Sequence, residues 1–257
     1  MPANQLFIVL PAYNEEESLP LMFRELTGAF AALGQGSSPA EVMLKEAKVI
    51  VVDDGSVDDT PKVLGRAVDE LAFLQAVTHE QNRGLGPAII TGLEAALEHS
   101  QSDDDVVVCM DADHTHPPDA MPPMLARLEA GADIVIASRY RKGSRQRGVP
   151  LRRQLLSLVG RILFTLRLHL KGVRDYTCGY RAYRVRVLRE GFAKYGDALI
   201  ERAGFACTDE LLVKLAPFCS RIEEVPFILR YDRKRGESKL PFWATVKATL
   251  ALLLKKE

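Results

Sequence analysis

The chain has 257 residues, of which 47% are hydrophobic and 7% aromatic, and its 34 Lys and Arg balance its 34 Asp and Glu. These values are typical of globular proteins and exclude a wholly disordered or fibrous chain. No apolar run approaches the ~20 residues that cross a bilayer, and the N-terminus lacks the basic start of a signal peptide. The four cysteines have no paired spacing, so we expect reduced thiols in a cytosolic protein rather than a disulfide framework or a zinc site.

The first 137 residues alternate short apolar runs with helical patterns. The predicted strands are 6–10, 48–52, 73–77, 106–110 and 133–137, and the predicted helices are 16–33, 58–72, 86–98 and 118–130. Continuous β-branched runs indicate strands that are covered on both faces. Because strands and helices alternate, we predict an α/β fold with a mostly parallel sheet.

Most of the polar motifs directly follow these predicted strands. PAYNE comes after the first strand, DDGS after the second, DADH after the fourth and SRY after the fifth. Ligands of open α/β sheets bind beyond the carboxyl ends of the strands. We therefore predict a ligand site along that edge of the sheet.

The DAD motif indicates a divalent metal ion. Asp111 and Asp113 are alternate residues after an apolar strand, so both carboxylates can face one ligand. Neighbouring carboxylates repel each other unless a cation lies between them, and Mg²⁺ typically takes one or two carboxylates together with substrate phosphates. Asp53 and Asp54 repeat the pattern after the second strand. Acidic pairs are also common in turns and helix caps, so the DAD alone leaves both interpretations open.

The first strand-to-helix turn favours a nucleoside over a pyrophosphate. It lacks GxGxxG, and the chain contains no GxxxxGK[ST] motif, which disfavours dinucleotide and P-loop sites. Tyr13 can cover a base, and Glu15 or Asp54 can accept hydrogen bonds from ribose hydroxyls. The alternative is a hydrophobic staple at Tyr13 and a first-turn helix anion at Glu15.

The zero net charge conceals an uneven distribution. Residues 1–137 contain 7 Lys and Arg against 23 Asp and Glu, whereas residues 138–190 contain 15 against 2. Within 151–171 an apolar stripe is bordered by cations, which predicts a helix at a membrane interface. Residues 240–254 form a second apolar stretch that is too short to span a bilayer. Core or oligomer helices are the alternative for both segments.

Seven motifs occur in an order that resembles a known family. They are PAYNE, VVDDGSVDDT, NRGLGPA, MDADHTHPP, ASRY, DYTCGYR and DRKRGESKL, within residues 6 to about 243. Together they resemble the family 2 glycosyltransferases of the dolichol-phosphate (polyprenol-phosphate) mannosyltransferase type. The resemblance implies a GT-A fold, with a mostly parallel Rossmann-like sheet flanked by helices and amphipathic membrane-interface helices in the C-terminal half.

The resemblance also implies an activity. Proteins of this type transfer mannose, with inversion, from GDP-mannose to a polyprenyl (dolichyl) phosphate and use Mg²⁺ or Mn²⁺. The expected partners are the nucleotide sugar, the lipid phosphate, a membrane surface and a candidate membrane-anchoring subunit, and no nucleic acid is expected. The expected location is cytoplasmic, peripheral on the cytosolic face of a membrane.

Matching the family's motifs assigns roles to individual residues. The guanosine is assigned to Pro11, Tyr13, Glu15, Val52 and Asp54. The diphosphate and the metal are assigned to Asp111, Ala112, Asp113 and Thr115. The cations for the donor and acceptor phosphates, which with Asp113 form the predicted catalytic set, are Arg139, Arg233 and Lys239. The acceptor phosphate is assigned to Arg153 and Ser157, and the sugar to Asp175 and Glu210.

The sequence departs from the family pattern at three places. Thr115 stands where the family usually has Gln, Cys178 replaces a usual Ser, and Thr208-Asp209-Glu210 takes the place of Q-x-E. Because these positions match ones near the metal and the sugar, they leave the sugar identity and the metal affinity open.

We predict one catalytic domain over residues 1–240, with a nucleotide-sugar-binding half at 6–137 and an acceptor-binding half at 138–240, followed by an amphipathic helix at 241–257.

The acceptor of the implied reaction is a phosphomonoester. A phosphomonoester with a second pKa of about 6 is already largely a dianion at neutral pH, so no catalytic base is required. Two alternatives to this mannosyltransferase activity remain. One is a family 2 enzyme with another nucleotide sugar, such as UDP-glucose, or another acceptor, and the other is a non-catalytic sugar-nucleotide-binding or membrane-recruitment protein.

Overall fold

The structure is a computed structural model that describes residues 4–33, 43, 46–202, 204 and 206–235. Its strands are β1 (Leu6–Ala12), β2 (Lys48–Asp53), β3 (Leu74–Thr78), β4 (Val106–Cys109), β5 (Ile134–Ser138), β6 (Arg145–Arg147), β7 (Arg181–Arg184), β8 (Ile222–Pro226) and β9 (Ile228–Arg230). Its α-helices are α1 (Leu19–Leu33), α2 (Thr60–Glu70), α3 (Leu85–His99), α4 (Met121–Glu129), α5 (Leu151–Leu168), α6 (Val185–Tyr195) and α7 (Ala206–Leu215).

Seven of these strands form one sheet in the order β3-β2-β1-β4-β7-β5-β8, and β6 pairs separately with β9. Strand β1 is parallel to β2 and β4, with Phe7 opposite Lys48 and Leu6 opposite Val106. Strand β7 is antiparallel to both of its neighbours, and the other pairs in this sheet are parallel. The carboxyl ends of β1, β2, β4 and β5 therefore lie along one edge, as the alternation of strands and helices predicted.

The central strands are buried on both faces because helices cover both sides of the sheet. Leu6 to Leu10 and Val49 to Val52 are at most 1% exposed. Helix α3 packs closely on β1 and β2, since a Cβ added at Gly92 would lie 2.3 Å from Cγ1 of Val9. This close approach holds α3, and the loop that leads into it, over the carboxyl edge.

Strand β7 was not predicted, because its sequence RAYR carries two arginines. Arg181 is nevertheless fully buried. Its guanidinium donates hydrogen bonds to the backbone carbonyls of Tyr176 and Thr208. Burial of this charge depends on carbonyl groups from two other segments, which periodicity cannot reveal.

Several predicted boundaries shift by up to three residues. Helix α1 begins at Leu19 rather than at 16, because residues 15–18 form a turn in which the Ser18 N–H donates to the Glu15 carbonyl. The helix predicted over 118–130 begins with a 3-10 turn at Pro118–Ala120, before α4. Strands β3 and β5 each lie one residue later than predicted.

The helix predicted over 151–171 is α5, which ends at Leu168, where His169 has a left-handed backbone (φ 47°). Its apolar side chains Leu151, Leu155 and Leu166 are 77%, 63% and 66% exposed. None of the helices within the described ranges has the length and apolar character needed to traverse a bilayer. The predicted apolar stretch 240–254 and the predicted helix 241–257 lie outside the described residues.

Candidate active site

The turns after β1 and β2 are joined by hydrogen bonds. The Asn14 N–H donates to Oγ of Ser56 at 2.9 Å, and the Val57 N–H donates to Oδ1 of Asn14 at 2.9 Å. The Glu15 N–H donates to Oγ1 of Thr60 at 2.8 Å. These contacts place the turn that carries Tyr13 and Glu15 against the loop that follows Asp54.

Three further residues of the predicted nucleoside site lie at the same edge. Pro11 and Val52 are opposite each other in the β1–β2 register. Asp54 is buried, and its carboxylate accepts hydrogen bonds from the Arg83 N–H at 2.9 Å and the Gly84 N–H at 2.7 Å. His79 Nδ1 lies 2.7 Å from the same carboxylate. Asp54 therefore fixes the start of α3, and a direct contact with ribose remains a prediction.

The DAD follows β4 directly, and both of its carboxylates have neighbours in place. Asp113 accepts a hydrogen bond from Oγ1 of Thr115 at 2.7 Å, and its other oxygen pairs with the ammonium of Lys234. The Asp111 N–H donates to Nδ1 of His116 at 3.0 Å, and Nε2 of that ring lies 3.7 Å from Oδ2 of Asp111. Thr115 thus contacts Asp113, and its predicted role as a metal ligand is still a prediction.

The two DAD carboxylates differ in acidity. Burial raises the pKa of Asp111, His116 partly opposes this effect, and the charge of Asp113 reinforces it. Burial also acts to raise the pKa of Asp113, but the charge of Lys234 outweighs it and the pKa is lowered. Lys234 thus stabilises the negative charge of Asp113, whereas the negative charge of Asp111 is poorly compensated.

Arg139, at the end of β5, is held rigidly by Asp175. The guanidinium donates through Nε to Oδ2 of Asp175 at 2.9 Å and through Nη2 to Oδ1 at 2.6 Å, and the backbone N–H of Arg139 adds a third bond. Nη2 also donates to Oγ1 of Thr177 at 2.6 Å. Burial acts to raise the pKa of Asp175, but the charge of Arg139 lowers it overall. This pair therefore stays ionised although Asp175 is fully buried.

The DYTCGYR motif and the start of α7 meet beside the DAD. A Cβ added at Gly179 would lie 3.4 Å from Cγ2 of Thr208 and 3.7 Å from Oδ1 of Asp111. The adjacent Asp209 is 3% exposed. Burial raises the pKa of Asp209 to about 8, against the lowering effect of Arg181 and then of Arg139.

Arg233 precedes Lys234, the partner of Asp113, and pairs with Glu25 of α1, with Nη1 of Arg233 2.5 Å from Oε1 of Glu25. His114 Nε2 lies 3.2 Å from the other oxygen of Glu25. The ion pairs of Arg233 and Lys234 hold residues 231–235 across the site. Beside them is a cavity of about 380 Å³, lined by Glu25, Ala29, Pro117, Pro118, Asp119, Pro122 and Arg233.

The remaining predicted residues are placed as follows. Ser157 of α5 accepts a hydrogen bond from the Tyr140 hydroxyl at 2.8 Å. Glu210 accepts hydrogen bonds from the N–H groups of Glu201 and Arg202, each at 2.9 Å, and Lys214 lies 2.8 Å from its other oxygen. A sugar contact by Glu210 remains a prediction. The structure describes the backbone of Arg153 but not its side chain, and Lys239 lies outside the described residues.

The chain matches the family model described as "Glycosyl transferase family 2" over residues 7–192. The chain belongs to glycosyl transferase family 2. This match covers strands β1 to β7, apart from the first residue of β1, and with them the turns, the DAD and the Arg139–Asp175 pair. The chain is therefore a glycosyltransferase.

Three relatives of this family 2 glycosyltransferase extend the comparison. A polyprenol monophosphomannose synthase of Mycolicibacterium smegmatis is 32% identical over 244 residues, covering 93% of this chain and 82% of that protein. An undecaprenyl-phosphate mannosyltransferase of Micrococcus luteus is 34% identical over 92% of this chain and 87% of that protein. A dolichol-phosphate mannosyltransferase of Pyrococcus furiosus is 32% identical over 91% of this chain and 58% of that protein.

A solved structure confirms the GT-A fold. It is the Mycobacterium tuberculosis glucosyl-3-phosphoglycerate synthase in complex with Mn²⁺, UDP-glucose and phosphoglyceric acid, with a TM-score of 0.63 and 23% identity. The superposition covers 98% of this chain and 79% of that one. At this identity the likeness concerns the fold.

Reasoning from the sequence did not identify three residues that the structure brings to the glycosyltransferase site. Lys234 directly follows Arg233 in the DRKRGESKL motif, so its position in that motif was the available signal. Glu25 lies in the middle of a helix and gave no signal of its contact with Arg233. Tyr140 lies in the SRY motif, but its sequence context alone indicates no role.

Proposed function

We propose that this family 2 glycosyltransferase transfers mannose from GDP-mannose to a polyprenyl phosphate at the cytosolic face of a membrane. The observation that carries the proposal is the similarity, at 32–34% identity over more than nine tenths of the chain, to proteins named for joining mannose to polyprenyl phosphates. The arrangement of the site supports it, because an acidic nucleotide edge adjoins a basic segment.

The donor nucleoside is assigned to the edge where the first two turns meet. Tyr13 and Glu15 belong to the turn that is bonded to the loop after β2. Pro11 and Val52 lie opposite each other in β1 and β2, and Asp54 directly follows β2. A guanine ring between these turns would stack on Tyr13, and Glu15 would accept hydrogen bonds from the ribose. Asp54 would act by holding the start of α3 in place.

The donor set of the DAD fits a hard divalent cation such as Mg²⁺ or Mn²⁺. Asp111 and Asp113 supply carboxylate oxygens. Burial, reinforced by the charge of Asp113, raises the pKa of Asp111, and a bound cation would offset both effects. In the described part of the chain, no cluster of three or more His, Cys, Asp or Glu could hold a metal, so the remaining ligands would be phosphate oxygens and water. When bound, the ion supplies charge stabilisation for the leaving diphosphate.

The acceptor brings its own nucleophile. A phosphate oxygen of the dianionic lipid phosphate attacks the anomeric carbon, the bond to the diphosphate oxygen breaks, and GDP leaves with that electron pair. Attack opposite the leaving group inverts the anomeric centre. Arg139, fixed by Asp175 and Thr177, offers a rigid positive charge that reduces the repulsion between the two anionic reactants.

The acceptor's lipid places the reaction at a bilayer surface. Helix α5 presents Leu151, Leu155 and Leu166 to the outside, and its other face carries Ser157. An amphipathic helix of this kind lies in the interfacial plane. We therefore propose a peripheral protein whose active site opens toward the headgroups, with a membrane-anchoring subunit as a candidate partner.

A transfer assay tests the donor and the acceptor together. GDP-mannose and UDP-glucose are each incubated with polyprenyl phosphate, with and without Mg²⁺ or Mn²⁺. We expect lipid-linked sugar from GDP-mannose with metal, and Asp113→Asn should lower turnover by about 100-fold or more. The control Asp69→Asn, on the exposed side of α2, should retain activity. Incorporation from UDP-glucose alone would refute the donor assignment, and full activity of folded Asp113→Asn would refute the role of the DAD.

A further inference from the structure

A cluster around Tyr140 adjoins Arg139, and two of its members, Tyr140 and Arg161, have no role in the chemistry described above. The Tyr140 hydroxyl donates a hydrogen bond to Oγ of Ser157 at 2.8 Å. The guanidinium carbon of Arg161 lies 4.7 Å from the centre of the Tyr140 ring, and that of Arg139 lies 5.6 Å from it. One tyrosine thus brings two cations and one hydroxyl together.

The cluster uses one face of α5. Ser157 and Arg161 are four residues apart and are therefore neighbours on the helix surface. Leu155 precedes Ser157 by two residues, which is a rotation of roughly 200° about the helix axis, and Leu155 is 63% exposed. The polar row consequently faces the protein, while the apolar stripe faces outward.

The same helix face approaches the pair of Arg139 and Asp175. A Cβ added at Gly160 would lie 3.9 Å from Cγ2 of Thr177, and Oγ1 of Thr177 accepts a hydrogen bond from Arg139. Ser157 and Arg161 are thus close to the cation that the proposed function places beside the reacting phosphates.

Arg139 and Arg161 differ in how their charges are compensated. Asp175 forms two hydrogen bonds with the guanidinium of Arg139. Within the described ranges Arg161 takes part in no ion pair, and its guanidinium lies over the Tyr140 ring. Of the two guanidinium groups beside Tyr140, that of Arg161 is the less compensated, so it can add to the charge that Arg139 offers an incoming anion.

We propose that Arg161 is a further cation of the acceptor-phosphate site and that Tyr140 is a positioning residue for Ser157 and Arg161. The proposal rests on the proposed function and adds residues to its acceptor site. Because the phenol donates to Oγ of Ser157, the hydrogen of Ser157 is directed to another acceptor, here a phosphate oxygen. The cation–π contact restricts the rotamers of Arg161, which lowers the entropy cost of holding the anion.

Equilibrium binding of a water-soluble, short-chain polyprenyl phosphate, measured by calorimetry without donor, tests Arg161 directly. We expect Arg161→Gln to weaken binding about tenfold, as for the loss of one charge-assisted hydrogen bond. In the transfer assay the same variant should raise the KM for the acceptor by a similar factor and leave the KM for GDP-mannose unchanged. The control Arg167→Gln, six residues further along α5, should change neither value.

The role of Tyr140 is tested with a double-mutant cycle. Tyr140→Phe keeps the ring and removes the hydroxyl, so we expect about a threefold weaker acceptor affinity and an unchanged kcat. In a Ser157→Ala background the same change should have almost no further effect, because the hydroxyl that it orients is absent. Additive effects would overturn the positioning role.

Acceptor-free vesicles that contain an anionic phospholipid show whether Arg161 binds the acceptor phosphate or a lipid headgroup. Arg161→Gln should bind them as the wild type does, and an equal loss there would make Arg161 a headgroup ligand instead. Unchanged acceptor affinity in Arg161→Gln, or a raised donor KM alone, would also overturn the proposal. A wild-type protein that binds the lipid phosphate but transfers no mannose would refute the proposed function, and the binding data would still decide the role of Arg161.

Discussion

Charged side chains around the DAD are buried in pairs of opposite sign. Lys234 pairs with Asp113, and Arg139 pairs with Asp175. Removing one member of a buried pair leaves an uncompensated charge in a medium of low dielectric constant, which costs more than exchanging one partner for another. In the proposed function a sugar nucleotide and its metal ion would bring new charges of both signs, so we expect Lys234 to exchange partners when they bind.

At this scale we predict that Lys234→Met strengthens metal binding to the donor-free protein. The ammonium of Lys234 occupies one oxygen of Asp113, and Thr115 donates to the other, so removal of the ammonium leaves the first oxygen to the ion. We expect about fivefold tighter binding of Mn²⁺, measured by electron paramagnetic resonance titration without nucleotide. Arg235→Met, at the exposed next residue, is the matched control. An unchanged Mn²⁺ affinity in Lys234→Met, or an equal change in the control, would contradict competition between Lys234 and the ion for Asp113.

At the level of elements, the position of α3 depends on how closely the helix approaches the sheet. Gly92 faces β1 and β2, and an added Cβ would lie 2.3 Å from Cγ1 of Val9 and 3.3 Å from Cγ2 of Val52. Interiors are packed too densely for such an insertion without displacement. Because the loop before α3 is held by Asp54, a displaced helix would also disturb the nucleoside edge.

Two glycine substitutions in helices should therefore have opposite effects on stability. Gly92→Ala should lower the free energy of unfolding by about 1–3 kcal/mol through overpacking. Gly65→Ala, in α2, has no atom within 4 Å of the added Cβ and should raise it by roughly 0.5–1 kcal/mol through helix propensity. Urea denaturation measures both values. If the two variants shifted the midpoint in the same direction, this account of α3 packing would be wrong.

For the whole molecule, the uneven charge distribution bears on the proposed attachment to a membrane surface. Residues 138–190 hold 15 cations against 2 anions, and this segment includes α5 with its exposed leucines. The remainder of the 1–190 region is strongly acidic, so anionic lipids would attract the basic segment and repel the acidic one. We expect this asymmetry to orient the protein on a bilayer.

We predict that binding to anionic vesicles weakens as salt rises and also depends on the apolar stripe. Surface charges are screened over about 8 Å at physiological ionic strength, so co-sedimentation should fall severalfold between low and high salt. Leu155→Ser should reduce it further, whereas Val68→Ser, on α2 and 39% exposed, should not. Salt-independent binding, or equal losses in both variants, would argue against attachment through α5.

Much of the sheet could be predicted because its strands are continuous β-branched runs that require cover on both faces. The carboxyl-edge position of the DAD and of Arg139 followed from strand direction alone. Strand β7 could not be predicted, since burial of Arg181 depends on the carbonyls of Tyr176 and Thr208. The contacts of Glu25 and Lys234 join residues that lie far apart in the chain, and no local pattern encodes them.

The sequence by itself determined the α/β class, the family and the residue types at the carboxyl edge, because periodicity and motif order are local properties of the chain. Only the tertiary structure decided which cation pairs with which carboxylate: Lys234 pairs with Asp113, Arg233 with Glu25 and Arg139 with Asp175. Ion pairing falls off with distance in three dimensions, and separation along the chain does not report that distance.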